Sequence, residues 1–407
     1  MPAPPRARPA SRARSFAAAC LGMAVFGIVL TTVGAILPSV IERFGMATQN
    51  AGALFLLLSF GILAGSVVFG PTVDRYGYKG MLLMATVLII LGIEGIALAG
   101  SLGLLRASVL LIGFGGGVIN GGTNALVADI SAEGRSAGLS LLGIFFGVGA
   151  VGVPFTLGML LGRFSYSVLL AGIGVLVLGP LVYIAVTRFP APKQPQGFPV
   201  ADGIRLLREP FILLTGLMLF LESGIEITVG GWTATYFTRE LGLAAGHALF
   251  FLSLYWLGMM LARLTLGSLL RRTIPARVMM SCIGVALLGS AFLIGSRSVL
   301  SAALGVFLIG VGFAATYPVV LGYVGDRYAR LSGTAFSIVL VMALIGGMVL
   351  PYVTGVVGGA RGLRTSFLIV PLALVLQVLL LTVIARRVVA EAGVSPVPNL
   401  GGDDLIA

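Results

Sequence analysis

LESGIEITVGGW, residues 221–232, places two glutamates, Glu222 and Glu226, one helical turn apart inside a run that is otherwise apolar from Phe211 to Phe237. A run of that length is enough to cross a bilayer as a helix. A carboxylate in the middle of a bilayer costs about 2.5–3.5 kcal/mol even on lenient insertion scales, so it is retained where it faces a polar cavity. The remainder of the chain is therefore expected to supply the bundle around such a cavity.

The composition agrees. Of 407 residues, 58% are hydrophobic and only 10% are charged, against about 25% charged in a soluble domain. Apolar runs of about 20 residues recur from end to end, and they are continuous rather than alternating, which favours helices over a barrel. The net charge of +12 does not point to nucleic acid, because the basic residues sit in short loops between spans, where they set topology. Cys20 and Cys282 lie in separate spans without metal-ligand spacing, and His247 is the single histidine. A histidine-based triad or metal cluster is thus not expected. No nucleophile–base pair and no phosphate-binding loop is visible, so neither an enzyme nor a bound cofactor is expected.

Twelve spans are predicted, at about 16–41, 49–71, 79–100, 104–130, 136–162, 166–188, 210–237, 246–270, 276–295, 299–325, 333–358 and 364–388. The Pro- and Arg-rich segment 1–15 reads as a disordered tail. The apolar stretch after Ser15 is too long for a signal-peptide core and reads as an uncleaved first span. Residues 16–188 and 210–388 form two six-span halves, 189–209 is a linker whose end (204–209) suits a short interfacial helix, and 389–407 is a second tail. Eighteen of the 26 lysines and arginines fall on the side that carries both termini and seven on the other, with Arg263 inside the eighth span. The positive-inside rule places both termini in the cytoplasm of a cell whose inner (plasma) membrane holds the protein.

The halves repeat. An offset of 197 residues, without a gap, pairs Gly27 with Gly224, Gly61 with Gly258, Gly92 with Gly289, Gly113 with Gly310 and Gly149 with Gly346. It also pairs Thr31 with Thr228, Arg75 with Arg272, Asp129 with Asp326, Ser140 with Ser337 and Pro154 with Pro351. Glycine matches alone are expected by chance in so glycine-rich a chain; one offset that also pairs Thr, Arg, Asp, Ser and Pro is not. A parallel repeat of six spans resembles the layout of the major facilitator transporters.

After the second span comes Gly70-Pro71-Thr72-Val73-Asp74-Arg75-Tyr76-Gly77-Tyr78-Lys79. It resembles that superfamily's loop signature, G-x-L-x-D-R-x-G-R-K. The resemblance implies a cytoplasmic latch in which Gly70 and Gly77 permit close turns and Asp74, Arg75 and Lys79 form a charge network with Asp129. Tyr78 stands where the family usually carries arginine, so a cation is missing. The alternative is an ordinary solvated turn.

Two further stretches resemble one branch, the fucose:proton symporter-like sugar transporters. Asn124-Ala125-Leu126-Val127-Ala128-Asp129 matches a fourth-helix N-A-L-V-x-D run, and residues 139–150 resemble its fifth helix with Ser140 in place of asparagine and Gly143 in place of histidine. In the seventh span Gly224, Glu226, Gly231, Trp232 and Tyr236 fit the branch pattern, whereas Glu222 falls where tyrosine is common. The first span lacks the mid-helix acid of fucose permease, so fucose is not implied.

The resemblance implies a secondary transporter working by alternating access, with proton-coupled symport of a sugar or similar small polar solute as the leading version. The energy source would be a proton gradient, with sodium the alternative ion. A proton-coupled efflux antiporter for drugs or metabolites, and a non-transporting receptor on the same bundle, are the other versions. Glu226 and Glu222 cannot both be charged cheaply and should titrate as a coupled unit, which suits proton coupling; pairing of Glu226 with Arg263 as a structural anchor is the alternative. Asn120 and Asn124 share a helix face and offer amides to solute hydroxyls, or else only tie helices together at about 0.6 kcal/mol per bond. Trp232 and Tyr317 are candidates for the solute-binding surface, with Tyr236, Tyr255 and Trp256 behind them; Glu94 lies near the outer end of the third span. The partners expected are the solute and the lipid bilayer, with the protein a monomer.

Overall fold

The structure, a computed structural model, describes residues 9–130, 135–190, 206–295, 298–328 and 332–391. It contains twelve helices long and apolar enough to cross a membrane. They are Arg12–Arg43, Thr48–Phe69, Tyr76–Ala97, Leu102–Ile130, Leu141–Leu160, Tyr166–Val186, Pro210–Arg239, Ala245–Arg272, Pro275–Gly295, Val299–Arg327, Thr334–Arg361 and Leu363–Arg387, called the first to twelfth spans below. Every one overlaps a span read from the sequence. Of the linker, residues 191–205 lie outside the described residues, including the first two of the interfacial helix expected at 204–209; of the rest, Leu207 and Arg208 form a turn and Glu209 leads into the seventh span.

Many hydroxyl side chains within the spans bond back to their own helices. Thr31 donates to Gly27 O (2.9 Å), Thr123 to Ile119 O (2.9 Å), Thr215 to Phe211 O (2.7 Å) and Thr354 to Leu350 O (2.8 Å). In an apolar surrounding this is how a hydroxyl avoids being left without a partner.

Two departures from regular helix matter. The second and third spans run on as one helix from Thr48 to Ala97, broken at Gly77, whose φ of 73° and ψ of 172° only glycine adopts freely. The segment read from sequence as a loop with two glycine turns therefore has one, at Gly77; Gly70 continues the helix. The tenth span is interrupted in mid-course: one helix ends at Gly312 and the next begins at Thr316. Pro318 explains part of the break, because it has no N–H to give the carbonyl of Ala314.

The 197-residue repeat holds contact by contact. A Cβ on Gly61 would lie 2.5 Å from Leu110 O, and one on Gly258 would lie 2.6 Å from Phe307 O, the repeat-mate of Leu110. Gly92 faces Ser108 O (3.0 Å) and Ile112 N (3.0 Å); Gly289 faces Gly305 O (2.6 Å) and Ile309 N (2.8 Å). Gly115 faces Ala85 O (2.7 Å) and Gly312 faces Cys282 O (2.6 Å). Glycine at these places lets backbones touch, the small-residue packing that holds helices together where lipid offers no hydrophobic drive. The fold is thus two parallel six-helix repeats of one packing scheme.

The halves meet through the first and seventh, second and eleventh, and fifth and eighth spans. The closest crossings lie toward the side away from the termini. Gly34 abuts Gly230 and Gly231; Gly52 would bring a Cβ within 3.1 Å of Tyr352 Cα; Gly158 would bring one within 3.0 Å of Gly246 O. Ser59 donates to Gly347 O across the same seam (3.1 Å), and Arg239 donates to Thr48. Beyond this seal is a depression of about 410 Å³, lined by Pro38, Glu42, Met46, Thr235 and Arg239 among others. On the termini side the fourth and tenth spans form no packed interface among the described residues.

Candidate functional site

The seventh span is mostly apolar, and over its second half it is enclosed by protein. From Leu221 to Phe237 every residue except Ile227 is buried. A helix hydrophobic all round belongs in the interior, and this one lies against the first, eighth, eleventh and twelfth spans. Its two glutamates therefore face protein rather than lipid, and they face different surroundings.

Glu222 is fully buried. Its Oε2 accepts a hydrogen bond from Nε2 of Gln377 in the twelfth span at 2.8 Å. Among the described residues its Oε1 has no hydrogen-bond partner, nor do Oε1 of Gln377 and Oγ1 of Thr316, and all three atoms are buried. A buried polar atom left so costs about 1–3 kcal/mol. Glu226 retains 8% exposure, and among the described residues no hydrogen bond is made to its carboxylate. The hydroxyl of Tyr255, in the eighth span, donates instead to the backbone oxygen of Glu226 at 3.3 Å. Arg263 is partly buried in the same span, and its charge reaches both carboxylates from a distance rather than through an ion pair. The anchoring pair between Glu226 and Arg263 is absent.

An aromatic chain frames Glu226. Phe26 meets Phe146 with centroids 5.8 Å apart, Phe146 meets Trp256 at 5.7 Å, Trp256 meets Tyr255 at 4.9 Å, and Tyr255 meets Phe313 at 6.2 Å. The chain passes from the first and fifth spans to the eighth and tenth, so it crosses between the halves. The indole N–H of Trp256 is buried with no acceptor. Tyr317 is partly buried, follows the break in the tenth span and stands near Ser223 and both glutamates.

Trp232 sits differently. It is 0% exposed, its Nε1 donates to Pro351 O at 3.0 Å, and it packs on Phe55 at 5.7 Å. In this conformation the indole belongs to the seal between the halves and is closed to a ligand. Tyr236 is likewise engaged, donating to Leu293 O at 3.0 Å. Asn120 and Asn124 are both half-buried, and Nδ2 of Asn124 donates to Asn120 O (2.8 Å) and Asn120 Oδ1 (3.1 Å). The pair thus acts as one unit, with the amide hydrogens of Asn120 still to be given. Glu94, far from this cluster, lies against Gly174 of the sixth span.

At the termini side Tyr78 donates to Asp129 Oδ2 at 2.7 Å, joining the third span to the fourth. The tyrosine that replaces the expected arginine supplies a hydroxyl to the same carboxylate partner. Lys79 is exposed and Gly77 provides the kink. The side chains of Asp74 and Arg75 lie outside the described residues.

The sequence reading missed Gln377 and Thr316. Gln377 carried a signal, since it is the one amide in the run Ile369–Ala385; Thr316 carried none, resembling the other threonines that back-bond within their helices.

Comparison with known proteins bears on this geometry. The profile of the Major Facilitator Superfamily matches residues 19–339. The glucose/mannose transporter GlcP of Bacillus subtilis (strain 168) is 21% identical over 343 residues, covering 81% of this chain and 84% of its own. The sodium-dependent glucose transporter 1A of Mus musculus is 21% identical over 382 residues, covering 84% and 88%. Among solved structures, the nucleoside transporter NupG superposes with a TM-score of 0.76 at 16% identity, covering 92% of this chain and 99% of its own. The D-xylose-proton symporter superposes with a TM-score of 0.75 at 15% identity, covering 90% and 96%.

Proposed function

Because the chain belongs to the Major Facilitator Superfamily, a family of membrane transporters rather than enzymes, we propose that it is a proton-coupled symporter of a sugar, with Glu226 as the coupling carboxylate. The observation that carries the reading is Glu226 itself: a carboxylate in the middle of a spanning helix, enclosed by protein, with no hydrogen bond or ion pair among the described residues to hold it. A structural carboxylate in that position would have its partners built in. A carrier of protons needs the opposite, a group free to be charged in one state and neutral in the other.

The sugar assignment rests on the glucose-transporting relatives and on the aromatic chain beside Glu226, whose faces suit the C–H surface of a pyranose. Asn120, Asn124, Tyr317 and Trp256 are the polar groups proposed to face the hydroxyls; Trp232 joins them only when the seal opens. With both termini in the cytoplasm of the inner (plasma) membrane, the sealed side faces outward, and this conformation is the inward-facing member of the alternating-access cycle. Asp74, Arg75, Lys79 and Asp129 are proposed to form the cytoplasmic latch of the opposite member, with the Tyr78–Asp129 bond, already made here within one half, positioning Asp129 for it. The transporter works as a monomer.

The test is uptake of radiolabelled D-glucose and D-xylose into proteoliposomes under an imposed acid-outside gradient. Accumulation that collapses with a protonophore supports the proposal. Proton-driven exit of organic cations, with no sugar movement in either direction, would replace it with efflux.

A further inference from the structure

We propose that Glu222, Thr316 and Gln377 form an occluded binding site for one dehydrated sodium ion, separate from the proton site at Glu226.

The three residues come from the seventh, tenth and twelfth spans. Each contributes one oxygen that is buried and without a partner: Glu222 Oε1, Thr316 Oγ1 and Gln377 Oε1. The three side chains are neighbours. Gln377 is bonded to the other oxygen of the same carboxylate at 2.8 Å, and the Thr316 hydroxyl stands beside the carboxylate without meeting hydrogen-bond geometry. Two of the three oxygens can only accept, so whatever satisfies them must bring positive charge or donated hydrogens.

The charges select the occupant. Glu222 and Glu226 are the acids of this cluster and Arg263 is the cation whose field reaches both. With both carboxylates ionised the cluster carries one net negative charge deep in the bilayer. A monovalent cation balances it, and a divalent one would overshoot. A carboxylate, an amide carbonyl and a hydroxyl are hard oxygen ligands of the kind that suit hard cations and not zinc or copper.

The backbone adds an independent indication. The tenth span breaks between Gly312 and Thr316, and Pro318 leaves the Ala314 carbonyl without its helical donor. Interrupted helices in the middle of a membrane are tolerated where their freed backbone groups serve a cavity or an ion. Here the interruption adjoins the very threonine whose hydroxyl is unmet.

The experiment uses purified full-length protein in detergent at constant ionic strength, with sodium, potassium or choline chloride. Melting temperature is read by intrinsic tryptophan fluorescence, since a ligand that binds the native state stabilises it by mass action. The expected result is a saturable rise with sodium that choline and potassium do not give. Glu222→Gln abolishes it, and Thr316→Val and Gln377→Leu each weaken the apparent sodium affinity at least tenfold. Equal melting in sodium and choline overturns the assignment, leaving water as the occupant; so does a sodium response that survives Glu222→Gln. Should Glu222→Gln fail to fold, wild-type sodium affinity in both of the milder variants overturns it equally. The readout is ion binding without flux, so its outcome is distinct from that of proton-driven sugar uptake.

Discussion

Gly34→Ala should open the side of the protein that is sealed here. The first and seventh spans cross at Gly34, where a Cβ would run into Gly230 O and lie 2.9 Å from Gly231 Cα and 3.3 Å from Gly230 C. All three are backbone atoms and cannot rotate away. Overpacking of this kind costs about 1–3 kcal/mol. Because the contact joins the two halves, the cost falls on the sealed conformation alone and is relieved when the halves part. The equilibrium should then shift about 5- to 150-fold toward the open form. A reporter is available in Thr235, which is fully buried and lines the depression beyond the seal. In a background lacking Cys20 and Cys282, Thr235→Cys is labelled with a membrane-impermeant maleimide, and the initial rate tracks the open fraction. Gly34→Ala should raise that rate at least fivefold. Gly152→Ala, whose Cβ would meet nothing within 4 Å, should leave it unchanged. Equal labelling of all three folded proteins would refute the claim that this crossing is the seal.

Gly27→Ala provides the contrast: its Cβ would strike Phe146 O and come within 2.8 Å of Ala150 N, inside one half, so it should lower the melting temperature without changing Thr235→Cys labelling. Trp232→Phe removes the 3.0 Å bond to Pro351 O, worth about 1 kcal/mol; labelling should rise by about fivefold, and unchanged labelling would exclude this bond from the seal. Tyr78→Phe removes the 2.7 Å bond to Asp129 and should slow sugar exchange several-fold at unchanged apparent KM; an unaltered rate would remove the latch from the cycle.

Much of the architecture was legible because bilayer spans impose length and composition on the sequence. The repeat was legible for a related reason. Glycines at backbone crossings such as Gly61–Leu110 and Gly258–Phe307 cannot vary in side-chain size, so the offset of 197 survives in them. That Glu226 is enclosed by protein rather than turned to lipid was readable from the cost of a charge in lipid. What was not readable depends on rotation about helix axes. Nothing in one sequence says that Trp232 turns into the seal while Trp256 turns toward Phe146, or that Asn124 spends its amide on Asn120. The loop signature suggested a missing cation at Tyr78; the structure shows its hydroxyl reaching Asp129 instead. The break at Phe313–Ala315 follows from Pro318 only once the preceding residues are known to lie in mid-span.

Glu226 is tested as the proton carrier most directly by its neutral isostere. Proteoliposomes containing Glu226→Gln, which keeps the shape of the side chain and fixes it neutral, should fail to accumulate D-glucose under an acid-outside gradient. The same vesicles should still exchange internal for external glucose in counterflow, within about twofold of wild type. Accumulation by Glu226→Gln to the wild-type ratio would contradict the account.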